Sequence, residues 1–137
     1  MIMWKQYNKY GNHKTQFKGM SFDSKKECEY YIHLSALEAE GGITELQRQV
    51  RFTLQPSFKH EGKTIRAIIY VADFTFMDRD GELHIVDVKG SNKGAFHDKD
   101  GKYHAGNGKS GRQSTATREY LLKKKMMLYQ GFEIEEV

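Results

Sequence analysis

The chain has 137 residues, with 22 lysines and arginines against 18 acids, 38% hydrophobic residues and 12% aromatics. That is enough for one core, which excludes wholesale disorder, and too little for two. No uncharged apolar run approaches the roughly 20 residues of a bilayer span, Met1 to Lys5 open no signal-peptide stretch, and the single Cys28 forms no internal disulfide, so a reducing, cytoplasmic setting away from membranes is expected.

Residues 1–20 carry Lys5, Lys9, Lys14 and Lys18, no acid, and the aromatics Tyr7, Tyr10 and Phe17. The segment is expected to be an extended or loosely ordered basic arm, suited to a polyanion such as nucleic acid or else simply solvated. Residues 21–137 then form the folded domain. Ser24 to Glu40 predicts a helix ended by Gly41-Gly42. Residues 49–55 alternate as a strand up to Pro56, and residues 64–77 are rich in β-branched and aromatic types, as one long strand. Asp78-Arg79-Asp80-Gly81 is a turn signal, followed by a strand over 82–89. The glycine-rich stretch after Gly90, residues 91–114, predicts a flexible loop. A second helix over 115–130 and a short strand over 132–137 follow. Helix, three strands, loop, helix, strand is a mixed α/β sheet flanked by helices.

The hairpin carries the chemistry. With a three-residue loop of Arg79-Asp80-Gly81, Asp73 lies opposite Asp87; with a two-residue loop it lies opposite Val88. Carboxylates facing each other across antiparallel strands repel, and a hard divalent cation such as Mg²⁺ compensates them. Asp87 and Lys89 share a face by strand alternation. A lysine there can orient a water and stabilise charge on a phosphate, or simply pair with Asp87. On the first helix, stepping about 100° per residue from Cys28 puts Lys25, Lys26, Glu29, His33, Ala36 and Glu40 on the solvent arc and Glu27 inward. Glu27 either closes a Ser24-x-x-Glu27 capping box or serves an acidic site on the sheet. Lys123-Lys124-Lys125 span too wide an arc for one solvent face, so at least one lies beside the sheet or a bound phosphate backbone, unless all three snorkel. The six histidines show no ligand constellation: His97 and His104 sit in the glycine-rich loop without evident partners for a zinc site. Cys28 falls on the core arc.

Phe22-Asp23-Ser24-Lys25-Lys26-Glu27, Leu54-Gln55-Pro56-Ser57-Phe58, Tyr70-Val71-Ala72-Asp73-Phe74 and Asp87-Val88-Lys89-Gly90 together resemble the PD-(D/E)XK nuclease superfamily, and within it a group of small bacteriophage proteins. The resemblance covers about residues 7–90 and resumes from about 115 to 132. It implies a restriction-endonuclease-like αβββαβ core and Mg²⁺- or Mn²⁺-dependent hydrolysis of phosphodiesters. It assigns Asp73, Asp87 and the Val88 carbonyl as metal ligands, Lys89 to the attacking water, and Glu27 to a ligand or general-base role. Ala72 stands where the motif name has proline. Small phage members include enzymes that cut branched DNA such as Holliday junctions. Two symmetric cuts need two active sites, so a homodimer is expected. Lys9, Lys14, Lys18, Lys93, Lys109, Arg112, Lys123 and Lys125 are the expected DNA contacts. The alternatives are a non-catalytic DNA- or protein-binding module on the same fold, and a nicking or restriction-like nuclease.

Overall fold

The computed structural model describes residues 4–7, 13–90, 94–106 and 117–137. In chain order the elements are β1 (Trp4–Tyr7), β2 (His13–Phe17), β3 (Met20–Phe22), α1 (Lys25–Ala39), β4 (Thr44–Gln55), β5 (Phe58–His60), β6 (Lys63–Ile65), β7 (Ile68–Met77), β8 (Leu83–Asp87), β9 (Phe96–His97), β10 (Tyr103–His104), α2 (Arg118–Tyr129) and β11 (Ile134–Glu136). α1 begins where the sequence places it, because the Ser24 hydroxyl accepts from the Glu27 amide at 3.0 Å, a cap worth about 1 kcal/mol. Its inward residues include Cys28, Leu34 and Leu37.

The central sheet has four strands in the order β11-β8-β7-β4. β4, β7 and β8 run antiparallel, whereas β11 lies parallel to β8, a pairing that needs the crossover supplied by α2. The described residues therefore form a mixed α/β fold with two helices. Ile85 and Val86, adjacent in β8, face opposite sides. Val86 packs with Phe74, Phe76 and the α1 residues Cys28, Leu34 and Leu37. Ile85 packs with Tyr70, Ala72, Ile134 and the α2 residues Tyr120 and Met127. Each helix thus covers one face of β8, and the sheet separates two apolar clusters.

The hairpin takes the three-residue register. Met77 pairs with Leu83 and Phe74 with Val86, the Asp78 amide donates to Glu82 O at 2.8 Å, and Gly81 closes the turn at φ 83. The ladder ends at Phe74 and Val86, so Asp73 and Asp87 occupy the next positions.

Three expectations are corrected. Residues 13–22 are not a loose arm: β1, β2 and β3 form an antiparallel sheet, with Thr15, Phe17 and Phe22 buried. The Arg48 guanidinium lies 4.0 Å over the Phe22 ring and donates to Ser21 O at 2.7 Å, tying this sheet to β4. The predicted strand 64–77 is broken, since Lys63–Ile65 pairs with Phe58–His60 in a separate exposed hairpin and β7 starts at Ile68. The predicted loop 91–114 contains the β9–β10 hairpin, held close to the core by glycines. A side chain on Gly42 would overlap the Lys99 carbonyl, and a Cβ on Gly101 would sit 2.6 Å from Ile43 Cγ2. Among the described residues, no helix is long and apolar enough to cross a membrane.

Candidate functional site

The residues around Asp73 and Asp87 come from three elements. β7 and β8 deliver the two aspartates where their ladder ends, and α1 delivers Glu27 from its buried side. Asp73 Oδ2 accepts from the Val88 amide at 2.8 Å. Asp87 Oδ2 accepts from the Tyr70 hydroxyl at 2.7 Å, and Asp87 Oδ1 lies 3.1 Å from Lys89 Nζ. The Lys89 ammonium also sits 3.5 Å from the centroid of the Tyr120 ring, which holds it by a cation–π contact. The Asp87–Lys89 ion pair, the alternative that the shared strand face allows, is present, and Val88 contributes its amide to Asp73.

Glu27 is 5% exposed and accepts from Gln49 Nε2 at 3.1 Å. Burial, then the negative charges of Asp73 and Asp23, push its carboxyl up from 4.5 to about 7. Burial also leads for Asp73; the Val88 amide opposes the rise and Asp87 adds to it, leaving Asp73 at about 6. Asp73 thus raises Glu27 and is itself raised by Asp87, which links the three acids through Asp73. They are not drawn tight. Among the described residues, the groups of three whose ligand atoms all fall within 4.8 Å are His84-His97-Glu135 and Asp78-Glu82-His84, and the Glu27-Asp73-Asp87 set is not one of them.

Beside Asp87 an open cleft of about 300 Å³ is lined by Tyr70, Asp87, Lys89, Thr117, Tyr120 and Lys123, among others. Lys123 also pairs with Glu119 at 3.0 Å. Lys124 reaches β11, 3.2 Å from Glu136, whereas Lys125 is exposed. The lysine run therefore divides as its arc requires, with Lys123 at the cleft and Lys124 at the sheet. Lys18 is exposed at the β2–β3 turn. Lys14 lies in β2, and Lys9, Lys93, Lys109 and Arg112 fall outside the described residues.

Two participants escaped the sequence reading. Tyr70 reads as a buried strand aromatic; only its register neighbours reveal a donor to Asp87. Burial and the Asp87 charge push its hydroxyl up, so it stays protonated and donates. Gln49 carries no motif. It holds φ 52 within β4, a left-handed conformation costly for a non-glycine residue. The expectation that the histidines lack ligand partners is also corrected: His84 of β8, His97 of β9 and Glu135 of β11 meet on the face of β8 away from Asp87. Their spacing in sequence hides this, because the parallel pairing of β11 with β8 is a tertiary event.

A family model described as "Protein of unknown function (DUF1064)" matches residues 7–105, and the chain belongs to that family. No curated protein matches the chain, and neither does any solved structure.

Proposed function

We propose that the protein is a Mg²⁺- or Mn²⁺-dependent endodeoxyribonuclease with a restriction-endonuclease-like core of the PD-(D/E)XK type. Its proposed substrate is branched DNA in phage DNA metabolism, cut by a homodimer. The observation that carries this reading is the placement of Asp73 and Asp87 just beyond the end of one antiparallel ladder, with Lys89 on Asp87 and the buried Glu27 electrostatically coupled to Asp73. The order α1-β4-β7-β8-α2-β11 supports the core type.

The donor set fits a hard divalent ion. Carboxylate oxygens are what Mg²⁺ prefers, and the carboxyls of Glu27 and Asp73 are raised first by burial and then by neighbouring acids, both of which a bound dication would offset. Asp73, Asp87 and the Val88 carbonyl would hold the ion, with Glu27 nearby. A bound ion of this kind supplies charge stabilisation at the phosphoryl oxygens and makes water a better nucleophile. Lys89, placed between Asp87 and the Tyr120 ring, would bring its ammonium to the developing phosphorane charge. Glu27, near 7, exchanges a proton around neutral pH, as a general base must. Lys123, at the cleft mouth, and the basic N-terminal strands would contact backbone phosphates. Leu121, Leu122, Leu128 and Tyr129, exposed on α2, are available to bury against a second copy.

A second reading is a binding module without catalysis. One observation favours it: both Asp87 oxygens are already engaged, by Tyr70 and Lys89. Labelled four-way junction, linear duplex and single strands, each incubated with Mg²⁺ or with EDTA, separate the two. Mg²⁺-dependent cutting of the junction, lost in Asp87→Asn with affinity retained, is the expected result. Binding without cutting would establish the module, and equal cutting of every substrate would remove the preference for branches.

A further inference from the structure

We propose that His84, His97 and Glu135 form a binding site for a transition-metal dication of the zinc class, which staples the β9–β10 hairpin to the central sheet. The geometry points to one spot. His84 Nδ1 and His97 Nε2 approach the same carboxylate oxygen, Glu135 Oε1, at 2.7 and 2.8 Å. Two imidazoles and a carboxylate are a common zinc donor set that leaves one position open.

The atoms behind these donors are also arranged as a metal site requires. A ligating imidazole usually gives its other nitrogen to a carboxylate, carbonyl or hydroxyl, which fixes the ring. His84 Nε2 lies 2.7 Å from Asp78 Oδ2, and that carboxylate is itself anchored by Lys102 Nζ at 2.9 Å and by the amides of Asp80 and Glu82. His97 Nδ1 lies 2.5 Å from the Tyr30 hydroxyl. Phe76 stacks flat on His84 and meets His97 edge-on, both at 5.0 Å between centroids. His97 is fully buried and His84 nearly so. The rings are therefore locked in orientation, dry, and aimed at one point.

The neighbouring group, Asp78-Glu82-His84, is not a competing site. Lys102 Nζ already occupies its centre, 2.9 Å from Asp78, 2.7 Å from Asp80 and 3.8 Å from Glu82.

The position explains what a staple would do. Between Gly90 and Ser114 no aliphatic residue is larger than alanine, and Phe96 is 46% exposed. Ala95 and Tyr103 are the described hydrophobic residues of the segment that pack against the core, and they are only partly buried, so its apolar anchorage is small, and small elements of that kind commonly depend on a metal or a disulfide. Without an ion, the single oxygen Glu135 Oε1 is the partner of both rings. With an ion, those two contacts become metal–ligand bonds, and the ligand atoms open by roughly half an ångström to reach tetrahedral spacing.

The test uses the full chain. Wild-type protein is stripped with EDTA, dialysed and titrated with Zn²⁺ by calorimetry, with metal content measured by plasma mass spectrometry. Co²⁺ loading and zinc-edge absorption spectroscopy then report the ligands. One ion per chain is expected, with two imidazoles in its shell. His97→Ala and Glu135→Gln are expected to weaken binding at least about 100-fold, whereas Lys59→Ala, on the exposed β5–β6 hairpin, retains it. Failure of the wild type to take up zinc overturns the proposal, independently of how any variant folds. So does a ligand shell containing sulfur or only oxygen, or undiminished uptake by a folded His97→Ala. Cleavage of DNA plays no part in these readouts.

Discussion

Replacing Glu27 by glutamine tests the electrostatics of the acidic cluster without relying on catalysis. The glutamine keeps a carbonyl oxygen that can accept from Gln49 Nε2 as Glu27 does, so what changes is the charge. The Glu27 carboxyl lies at about 7 in the folded chain against an ordinary 4.5. Because the folded value is the higher one, the folded state binds more protons between those pH values. Stability therefore falls as pH rises through this window, and the full cost is present above pH 7. The size of the displacement corresponds to about 3 kcal/mol, a ceiling that residual solvent contact lowers. Glu27→Gln is expected to be more stable than wild type by up to about 3 kcal/mol at pH 8 in magnesium-free buffer. The gap should close towards zero by pH 4.5. Urea unfolding of both proteins at pH 5, 6, 7 and 8, fitted with a common slope, measures it, and subtracting one protein from the other cancels the groups they share. A difference independent of pH, or a variant less stable than wild type at pH 8, would refute the reasoning that buried, crowded negative charge raises this carboxyl.

Tyr70→Phe removes the donor to Asp87 Oδ2 and is expected to cost about 1–3 kcal/mol, read from the urea midpoint at pH 7; no loss would mean that water replaces the hydroxyl. Gly42→Ala forces a Cβ onto the Lys99 carbonyl and should destabilise by about 1–3 kcal/mol, with faster amide exchange in β9 and β10; unchanged exchange would show that the hairpin shifts without loosening. Neutralising Lys9, Lys14 and Lys18 to glutamine should weaken DNA binding and flatten the slope of log affinity against log salt by up to about 0.9 for each phosphate that is no longer neutralised. These substitutions are preferable to deleting residues 1–18, because the deletion also takes Thr15 and Phe17 out of the core. An unchanged salt slope would remove the N-terminal strands from the DNA interface.

Local chemistry was what the sequence made legible. Ser24 caps α1, Cys28 is buried, Glu27 turns inward, and the Arg79-Asp80-Gly81 turn sets the register that carries Asp73 towards Asp87, all as alternation and capping rules predict. These features depend on neighbours a few residues away. The start of β4, well before residue 49, was not legible because Glu45 and Gln49 take positive φ values and the strand shifts register near its start, which breaks the apolar–polar alternation that marks a strand. The N-terminal sheet was missed although its pairings are local, Tyr7 with His13 and Phe17 with Met20, because its residues are largely polar and show little apolar alternation. The histidine cluster was missed because its contacts are long in reach. His84, His97 and Glu135 become neighbours only after β11 has crossed over to lie along β8 and the β9–β10 hairpin has folded back onto α1.

The docked hairpin also changes the polymer physics of the chain between β8 and α2. With His97 held against Tyr30, Glu135 and, through its carbonyl, His33, that span closes as two tethers of unequal length instead of one long one. Closure entropy grows only with the logarithm of length, so a few residues inserted into either tether should alter stability by well under about 1 kcal/mol. Each tether can vary in length or composition independently of the other, with His97 as the fixed knot between them.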